Sequence, residues 1–447
     1  MWFRRDLRLA DNPALNAAAA EADEVVPLFV IDPALWNRAG APRRRHLAES
    51  LRALDASLDG ALVVRHGNPV EVVSEVARAV DADHVHAAFD FGPYGSRRDS
   101  AVAARLNDSE RELAQVGSPY AVAPGRVTKT DGSRYLVFTP FHRAWLAHGW
   151  RAPAQLPGRL SLVRPLTGDA LPDESERSTP AVAAGESAAL ERWRAFLSSS
   201  ARTRYGEQRD RPDRDATSHL SIALKFGELH PRTVLADLDD GPGDAALQRQ
   251  LAWREFYADV LHGKPASARD YLRPELREME HDDPSREATR LAAWQQGRTG
   301  YPFVDAGMRQ LRVEGWMHNR VRMVVASFLV KDLHLEWMLG ARWFMQHLID
   351  GDLANNSHGW QWVAGTGTDA APYYRVFNPV SQGLRFDPGG DYVRRYVPEL
   401  EHLVGASVHE PWNHPDGLVH GYPTRVVQHD AERKEALRRY HEVRARP

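Results

Sequence analysis

Asp350-Gly-Asp352-Leu-Ala-Asn355-Asn356-Ser-His-Gly-Trp360-Gln-Trp362 is the stretch on which the reading of the chain turns. Upstream lies Gly315-Trp316-Met317-His318-Asn319-Arg320-Val-Arg322-Met323, and downstream Arg375-Val-Phe-Asn378-Pro379. Seven of the 13 tryptophans fall between Trp253 and Trp362. Carboxylates, amides, guanidiniums and indoles are costly to bury without partners. Their concentration here points to a pocket for a large, flat, polar molecule. Taken by themselves, Asp350 and Asp352 fit a turn or a pair of metal ligands. No third ligand of suitable spacing accompanies them, so no metal site is expected.

Outward from this stretch the chain is helical. Apolar residues recur with helical spacing over 248–261, 303–313, 318–329 and 341–348, and a basic helix is expected over 432–446. Residues 1–130 read differently. Short apolar runs at 25–31, 61–64 and 84–89 alternate with helical patterns at 48–58 and 70–80, which predicts a doubly wound parallel sheet. Met1 stands directly before Trp2-Phe3, so the first strand reads as shortened, as if an upstream start codon had been missed. Between 151 and 185 come Pro153, Pro157, Pro165, Pro172 and Pro180 among Gly, Ser and acidic residues. That composition predicts an irregular connector. The expected organisation is an α/β domain over 1–130, a connector over 131–186 and an all-α domain over 187–447.

Composition bounds the function. The 447 residues are 43% hydrophobic and 26% charged, as in a globular protein. No apolar run approaches the roughly 18 residues of a membrane span, and no membrane partner is expected. The start is charged at Arg4, Arg5 and Asp6, unlike a signal peptide. Zero cysteines exclude disulfides, thiol catalysis and cysteine-ligated zinc, and fit a reducing cytoplasm. The net charge of −3 does not announce a nucleic-acid binder, although a local basic patch can hide in such a sum. Only five of the 57 basic residues are lysine, and arginine suits bidentate phosphate contacts.

Single motifs admit plain readings. Thr217-Ser218-His219-Leu220-Ser221 precedes a helical stretch and reads either as a cap or as an anion site at a helix start. Gly365-Thr-Gly367-Thr-Asp-Ala370 is half of a dinucleotide fingerprint but follows no strand, and is discounted. Large aromatics pack cores, and a lone arginine on a helix is most often a solvated face.

Taken together, Trp-Met-His-Asn-Arg, Asp-Gly-Asp-Leu-Ala-x-Asn-x-x-x-Trp-Gln-Trp and Arg-Val-Phe-Asn-Pro resemble the photolyase/cryptochrome family. The resemblance is nearest to its class I cyclobutane pyrimidine dimer photolyases. It extends to Trp2-Phe-Arg-Arg-Asp-Leu-Arg-Leu and to Trp253-Arg-Glu-Phe-Tyr, so it spans nearly the whole chain. It implies an antenna domain joined to an all-helical FAD-binding domain, in an enzyme that splits cyclobutane pyrimidine dimers in UV-damaged DNA with light. The enzyme is expected to be a monomer. The resemblance assigns the FAD to Tyr205, Thr217, Ser218, His219, Leu220, Ser221, Arg322, Asp350, Gly351, Asp352 and Asn356. Arg322 would pair with Asp350, and Asn356 would sit beside flavin N5.

The flipped dimer would meet Gln250, Trp253, Asn319 and Met323. Arg209, Arg254, Arg320, Arg375 and Gln382 would touch the DNA strand, together with Gln250, Trp253 and Asn319. Gln250 stands where dimer photolyases usually carry Glu, and favours the alternatives of a (6-4) photolyase or a cryptochrome-like light sensor. Asn319 and Met323 favour the cyclobutane dimer, since (6-4) enzymes place paired histidines there and His318 stands alone. Phe29, Asp32, Arg44, Asp90 and Lys225 match an antenna site for 8-hydroxy-5-deazaflavin; Gly92 speaks against methenyltetrahydrofolate. Trp360 and Trp337 match the inner two members of the family's electron relay. Its outer tryptophan is missing, since the chain reads His281-Asp-Asp-Pro284 there. Slow photoreduction, or a substitute Trp or Tyr, is the expectation.

Overall fold

The computed structural model describes residues 1–163, 166–172, 182–368 and 374–445. Pro165, Pro180, Asp369, Ala370 and Arg446, named above, lie outside the described residues. The chain forms two compact units, one from Met1–Arg177, Ala181–Thr203 and Ser218–Pro265, the other from Arg204–Thr217 and Ala266–Pro447.

The first unit carries the parallel sheets. Strands β1 (Trp2–Phe3), β2 (Leu28–Ile31) and β3 (Val63–His66) pair in that order, and β4 (His84–Ala87) pairs with β5 (Glu112–Gln115). All three ladders are parallel. The single sheet expected is therefore present as two. β1 and β4 pack side by side, but their backbones do not come together as a hydrogen-bonded ladder. Buried Leu28 and Val30 of β2 and Val63 of β3 share a core with the apolar face of the Pro69–Ala79 helix, through Val72, Val73, Val76 and Ala77. That continuous apolar strand pattern is what a sheet covered on both faces requires.

Two helices of this unit lie against each other, Phe138–His148 and Pro242–Gly263. The first falls inside 131–186, where the connector was expected. Proline at the first position starts the longer helix, and Asp244 in its first turn suits the positive end of the helix dipole. Glu255 pins the pair to the sheet-side loop. It is 2% exposed, and its carboxylate accepts from the Ala121 and Val122 amides and from Trp145 Nε1 at 2.7 Å.

The second unit is helical. Its core joins Trp294, Phe303, Met308, Val325, Phe328, Trp337 and Trp360 with Tyr392, Val408, Val427 and Val443. The helix expected over 318–329 is Asn319–Ser327, continued by a π-helical turn at Phe328–Asp332. The one expected over 341–348 begins earlier, as Trp337–His347. Among the described residues no helix is long and apolar enough to cross a membrane, and no cluster of metal-ligating side chains occurs.

His358 makes this unit acid-sensitive. The ring is fully buried, with Nδ1 on Ala354 O at 2.8 Å and Nε2 on Ser267 Oγ at 3.0 Å. Burial pushes its pKa down to about 4. An unfolded histidine titrates near about 6.5. Between these values the unfolded chain binds a proton that the folded one refuses, so stability present above about 6.5 drains as pH falls toward 4. Urea unfolding midpoints should drop between pH 7 and pH 5, and the drop should shrink in His358→Gln. An equal drop in that variant would move the effect elsewhere.

Candidate flavin and substrate site

In the second unit the Asp-Gly-Asp motif is a helix start. Asp352 caps Leu353–Ala364 by accepting from Asn355 N at 3.0 Å. An Asp at that place satisfies a helix amide that would otherwise lack a partner. Two residues earlier, Asp350 is buried, and its Oδ2 accepts from Arg322 Nη2 at 2.8 Å. Arg322 is held from a second side by Nε on Met317 O, also 2.8 Å. The motif thus carries two jobs: one aspartate organises backbone, the other holds a buried charge pair. Asp350 Oδ1 is buried too and finds no donor among the described residues. A buried carboxylate oxygen without a donor is costly, and a ligand bearing N–H or O–H groups would relieve it.

Asn356, one turn into the helix, donates from Nδ2 to Ala341 O at 3.0 Å. That bond holds the amide in one orientation, with its carbonyl end turned away from the helix it is bound to. Tyr205 is buried, and burial raises its pKa above the ordinary phenol range. Thr217 ends a segment of this unit, whereas Ser218, His219, Leu220 and Ser221 belong to the first. His219 has φ +49°, so the loop turns through the left-handed region there. Gly365, at φ +80°, ends the Leu353–Ala364 helix. Of the glycines that imitate a dinucleotide fingerprint, Gly365 is a helix terminator instead.

Trp360 and Trp337 share one core cluster. The Trp360 indole lies over Gly340, where a Cβ would stand 2.0 Å from ring atom Cη2. Gly340 is one turn along the Trp337–His347 helix from Trp337, so the helix presents both to the same side. Asn319 opens its helix in an exposed position, and Met323, one turn on, is half-buried against the core. His318 is used locally: it is 3% exposed and caps this helix by accepting from Arg320 N.

Arg320 pairs with Asp210 at 2.9 Å and lies 4.4 Å over the Phe386 ring. Arg209 is 3.8 Å from the same Asp210. Arg375 is exposed, 5.9 Å over the Trp362 ring. Gln382 Oε1 is buried without a donor among the described residues.

In the first unit Gln250, Trp253 and Arg254 share the Pro242–Gly263 helix. Trp253 stacks flat on Phe138, centroids 3.7 Å apart at 6°. Phe138 carried no signal in the sequence, because it lies 115 residues away in a stretch read as connector. Among the described residues, Gln250 donates only to Ala246 O, at 3.4 Å. Arg254 is engaged within the fold. Its terminal nitrogens donate to Pro119 O and Leu224 O, both at 3.0 Å, and its guanidinium lies 4.7 Å over Tyr120. A structural task thus accompanies the phosphate contact expected of it.

Of the residues expected at an antenna site, Asp32 and Asp90 sit where parallel strands end. Asp32 directly follows β2 and caps the next turn, accepting from Ala34 N and from the Tyr94 hydroxyl. Asp90 follows β4 and accepts from Gly92 N and from Arg98. Burial works to raise Asp90's pKa, but Arg5, Arg98 and Arg4 outweigh it and hold the carboxyl below its usual range. Phe29 is buried in β2, and Arg44 lies 5.7 Å over Trp36. Lys225 is half-buried in the Ser221–Phe226 helix. Tyr94 and Arg98 were not legible as partners, since only the fold brings their helix to these strand ends.

Comparison with known proteins decides the family. Residues 1–158 match the family model described as DNA photolyase, and residues 247–442 the one described as FAD binding domain of DNA photolyase. A deoxyribodipyrimidine photo-lyase of Streptomyces griseus is 45% identical over 422 residues, covering 92% of this chain and 91% of its own. This chain belongs to the DNA photolyase family. Among solved photolyases, a bacterial class III enzyme from Agrobacterium tumefaciens superimposes with a TM-score of 0.91 at 35% identity, covering 99% and 97% of the two chains. An archaeal photolyase from Sulfolobus tokodaii, described with two FAD molecules, gives 0.87 at 29% identity, covering 99% of each. As a photolyase, the chain has an N-terminal α/β part with small parallel sheets and a helical FAD-binding part. FAD suits the orphan Asp350 Oδ1, because its ring imide and ribityl hydroxyls are the donors that oxygen lacks.

Proposed function

We propose that the protein repairs cyclobutane pyrimidine dimers in UV-damaged DNA, with FAD as the catalytic cofactor. The observation that carries the reading is the ion pair of half-buried Arg322 with buried Asp350, which has one acceptor to spare. It lies within the region matching the FAD-binding domain. Bound FAD supplies the light-driven electron that opens the dimer ring. The protein's part is to bind, orient and keep water out. Arg322 holds Asp350 in place, and its permanent charge favours an anionic reduced ring nearby. Tyr205, Thr217, Gly351, Asp352 and Asn356 would complete the grip from the second unit. Ser218, His219, Leu220 and Ser221 would contribute hydroxyls and backbone amides to the phosphates.

Enzymes that act on stacked bases must take them out of the stack. Trp253, with one face already covered by Phe138, offers its other face as a stacking platform, worth about 1–3 kcal/mol per base. Gln250, Asn319 and Met323 would meet the dimer, and Arg209, Arg320, Arg375 and Gln382 the strand. Trp360 and Trp337 would form the inner relay. The antenna site would take 8-hydroxy-5-deazaflavin. Support comes from Asp32 and Asp90 at the carboxyl ends of parallel strands, where α/β sheets bind ligands. The division into 1–130, 131–186 and 187–447 is proposed as the family's sequence organisation; the compact units cut the chain elsewhere.

The test is illumination of the flavin-reduced protein with oligonucleotides carrying one defined lesion, followed by product chromatography. Splitting of the cyclobutane dimer alone is expected. Repair of the (6-4) lesion alone would overturn the lesion assignment. Repair of neither would overturn the enzyme reading in favour of a light sensor.

A further inference from the structure

The outer end of the proposed relay has no tryptophan, but the second unit puts a phenol and a base beside Trp337. Tyr271 is 6% exposed and packs edge-on to Trp337, centroids 6.1 Å apart at 80°. Its hydroxyl lies 3.0 Å from His281 Nε2 and 3.4 Å from Glu336 Oε1. His281 also hydrogen-bonds the backbone of His334. A neutral imidazole has one donor and one acceptor nitrogen. With the ring proton on Nδ1, the Nε2 lone pair would face the phenol. Burial pushes the His281 pKa down to about 4; the hydrogen bond to the His334 backbone and the charge of Asp282 work against it, and the charge of Arg439 adds to it. At neutral pH the ring is therefore a free base.

We propose that Tyr271 is the terminal electron donor of this relay and that His281 accepts its proton. The proposal rests on the assignment of Trp360 and Trp337 above. The oxidant is the light-excited oxidised flavin. One electron passes from Trp360 to it, one from Trp337 to Trp360, and one from Tyr271 to Trp337. As the last electron leaves, the O–H bond of Tyr271 breaks and an N–H bond forms at His281 Nε2. The products are a neutral tyrosyl radical and an imidazolium, with both indoles restored. A thiol in solution then returns a hydrogen atom to the tyrosyl oxygen, and the imidazolium releases its proton to water.

The base is what makes a tyrosine serviceable. A phenol that keeps its proton is too hard to oxidise, and the hole would stay on Trp337. Trp294 is the competing neighbour, 6.2 Å from Trp360. It is fully buried, and its N–H donates to Val325 O at 3.0 Å, so it has no comparable exit for charge. Glu336 and His281 are only half-buried, which gives the Tyr271 proton a path outward.

The experiment is flash photolysis of the oxidised, FAD-loaded protein with a thiol present, read by transient absorption and electron paramagnetic resonance. A tyrosyl signal is expected, slower to form in D₂O than in H₂O. Tyr271→Phe keeps the ring against Trp337 and should replace that signal by a short-lived tryptophanyl one. Tyr271→Phe and His281→Asn should each lower the photoreduction yield on the order of 10²-fold, the lower end of what a positioned base contributes. NMR of the dark protein should find His281 protonated at Nδ1. Protonation at Nε2 would overturn the proton acceptor. Photoreduction lost in Trp360→Phe but undiminished in Tyr271→Phe would overturn Tyr271 alone. Undiminished photoreduction in Trp360→Phe would overturn the relay beneath it.

Discussion

Arg322→Ala is expected to destabilise the protein by about 3–5 kcal/mol and to empty it of flavin, because it leaves a buried carboxylate without its cation. The Asp350 side chain is 3% exposed, against 24% for Arg322. The aspartate therefore cannot recover hydration by a small movement, whereas a surface pair could. Arg322 also holds Met317 O, so its loss frees the turn that leads into the Asn319–Ser327 helix. Two effects thus act in one direction. Arg322→Ala with Asp350→Asn should recover part of the loss, since the neutral amide needs no cation; the difference measures the coupling. Urea unfolding and flavin absorbance are the readouts. A single variant within about 1 kcal/mol of the parent would show that the pair is solvated, as exposed pairs are.

Gly340→Ala is the second change with a large expected effect. Alanine is the better helix former by about 0.5–1 kcal/mol, so propensity alone predicts a gain. Packing predicts the opposite. The new methyl would stand 2.0 Å from Trp360 Cη2, 2.5 Å from Cζ3 and 2.6 Å from Leu329 Cδ2. Overpacking of a tight core typically costs about 1–3 kcal/mol, which exceeds the propensity term. The net loss should come with displacement of the Trp360 indole, seen as a changed rate of flavin photoreduction. Trp360→Phe in the same background should restore stability but not photoreduction, because the smaller ring relieves the overlap and lacks the indole. A stabilised Gly340→Ala would show that the helices part easily, and would weaken the view that this contact sets the relay geometry.

What was legible in the sequence was local or periodic. Asp352 and Asn355 are three residues apart, so a cap and its helix could be read from the motif. The helix at 303–313 was readable because its apolar spacing repeats every turn. The family followed from long ordered motifs, whose residues keep their order whatever the packing. The strands at 25–31 and 61–64 were legible as parallel partners, but not the break between the two sheets. That break depends on whether β1 and β4 join by hydrogen bonds, which is a matter of pairing and not of composition.

The sequence by itself determined the family, the two kinds of secondary structure and the residue types of the site. Only the tertiary structure decided which side chains answer one another. Arg322 and Asp350 are 28 residues apart, Phe138 and Trp253 are far further, and no periodicity links either pair. It also decided that Arg254 serves two carbonyls within the fold, and that Tyr271, without a motif of its own, stands between Trp337 and His281. The reason is physical: capping and periodicity are set by neighbours along the chain, whereas a buried hydrogen bond or ring contact is set by where distant segments meet.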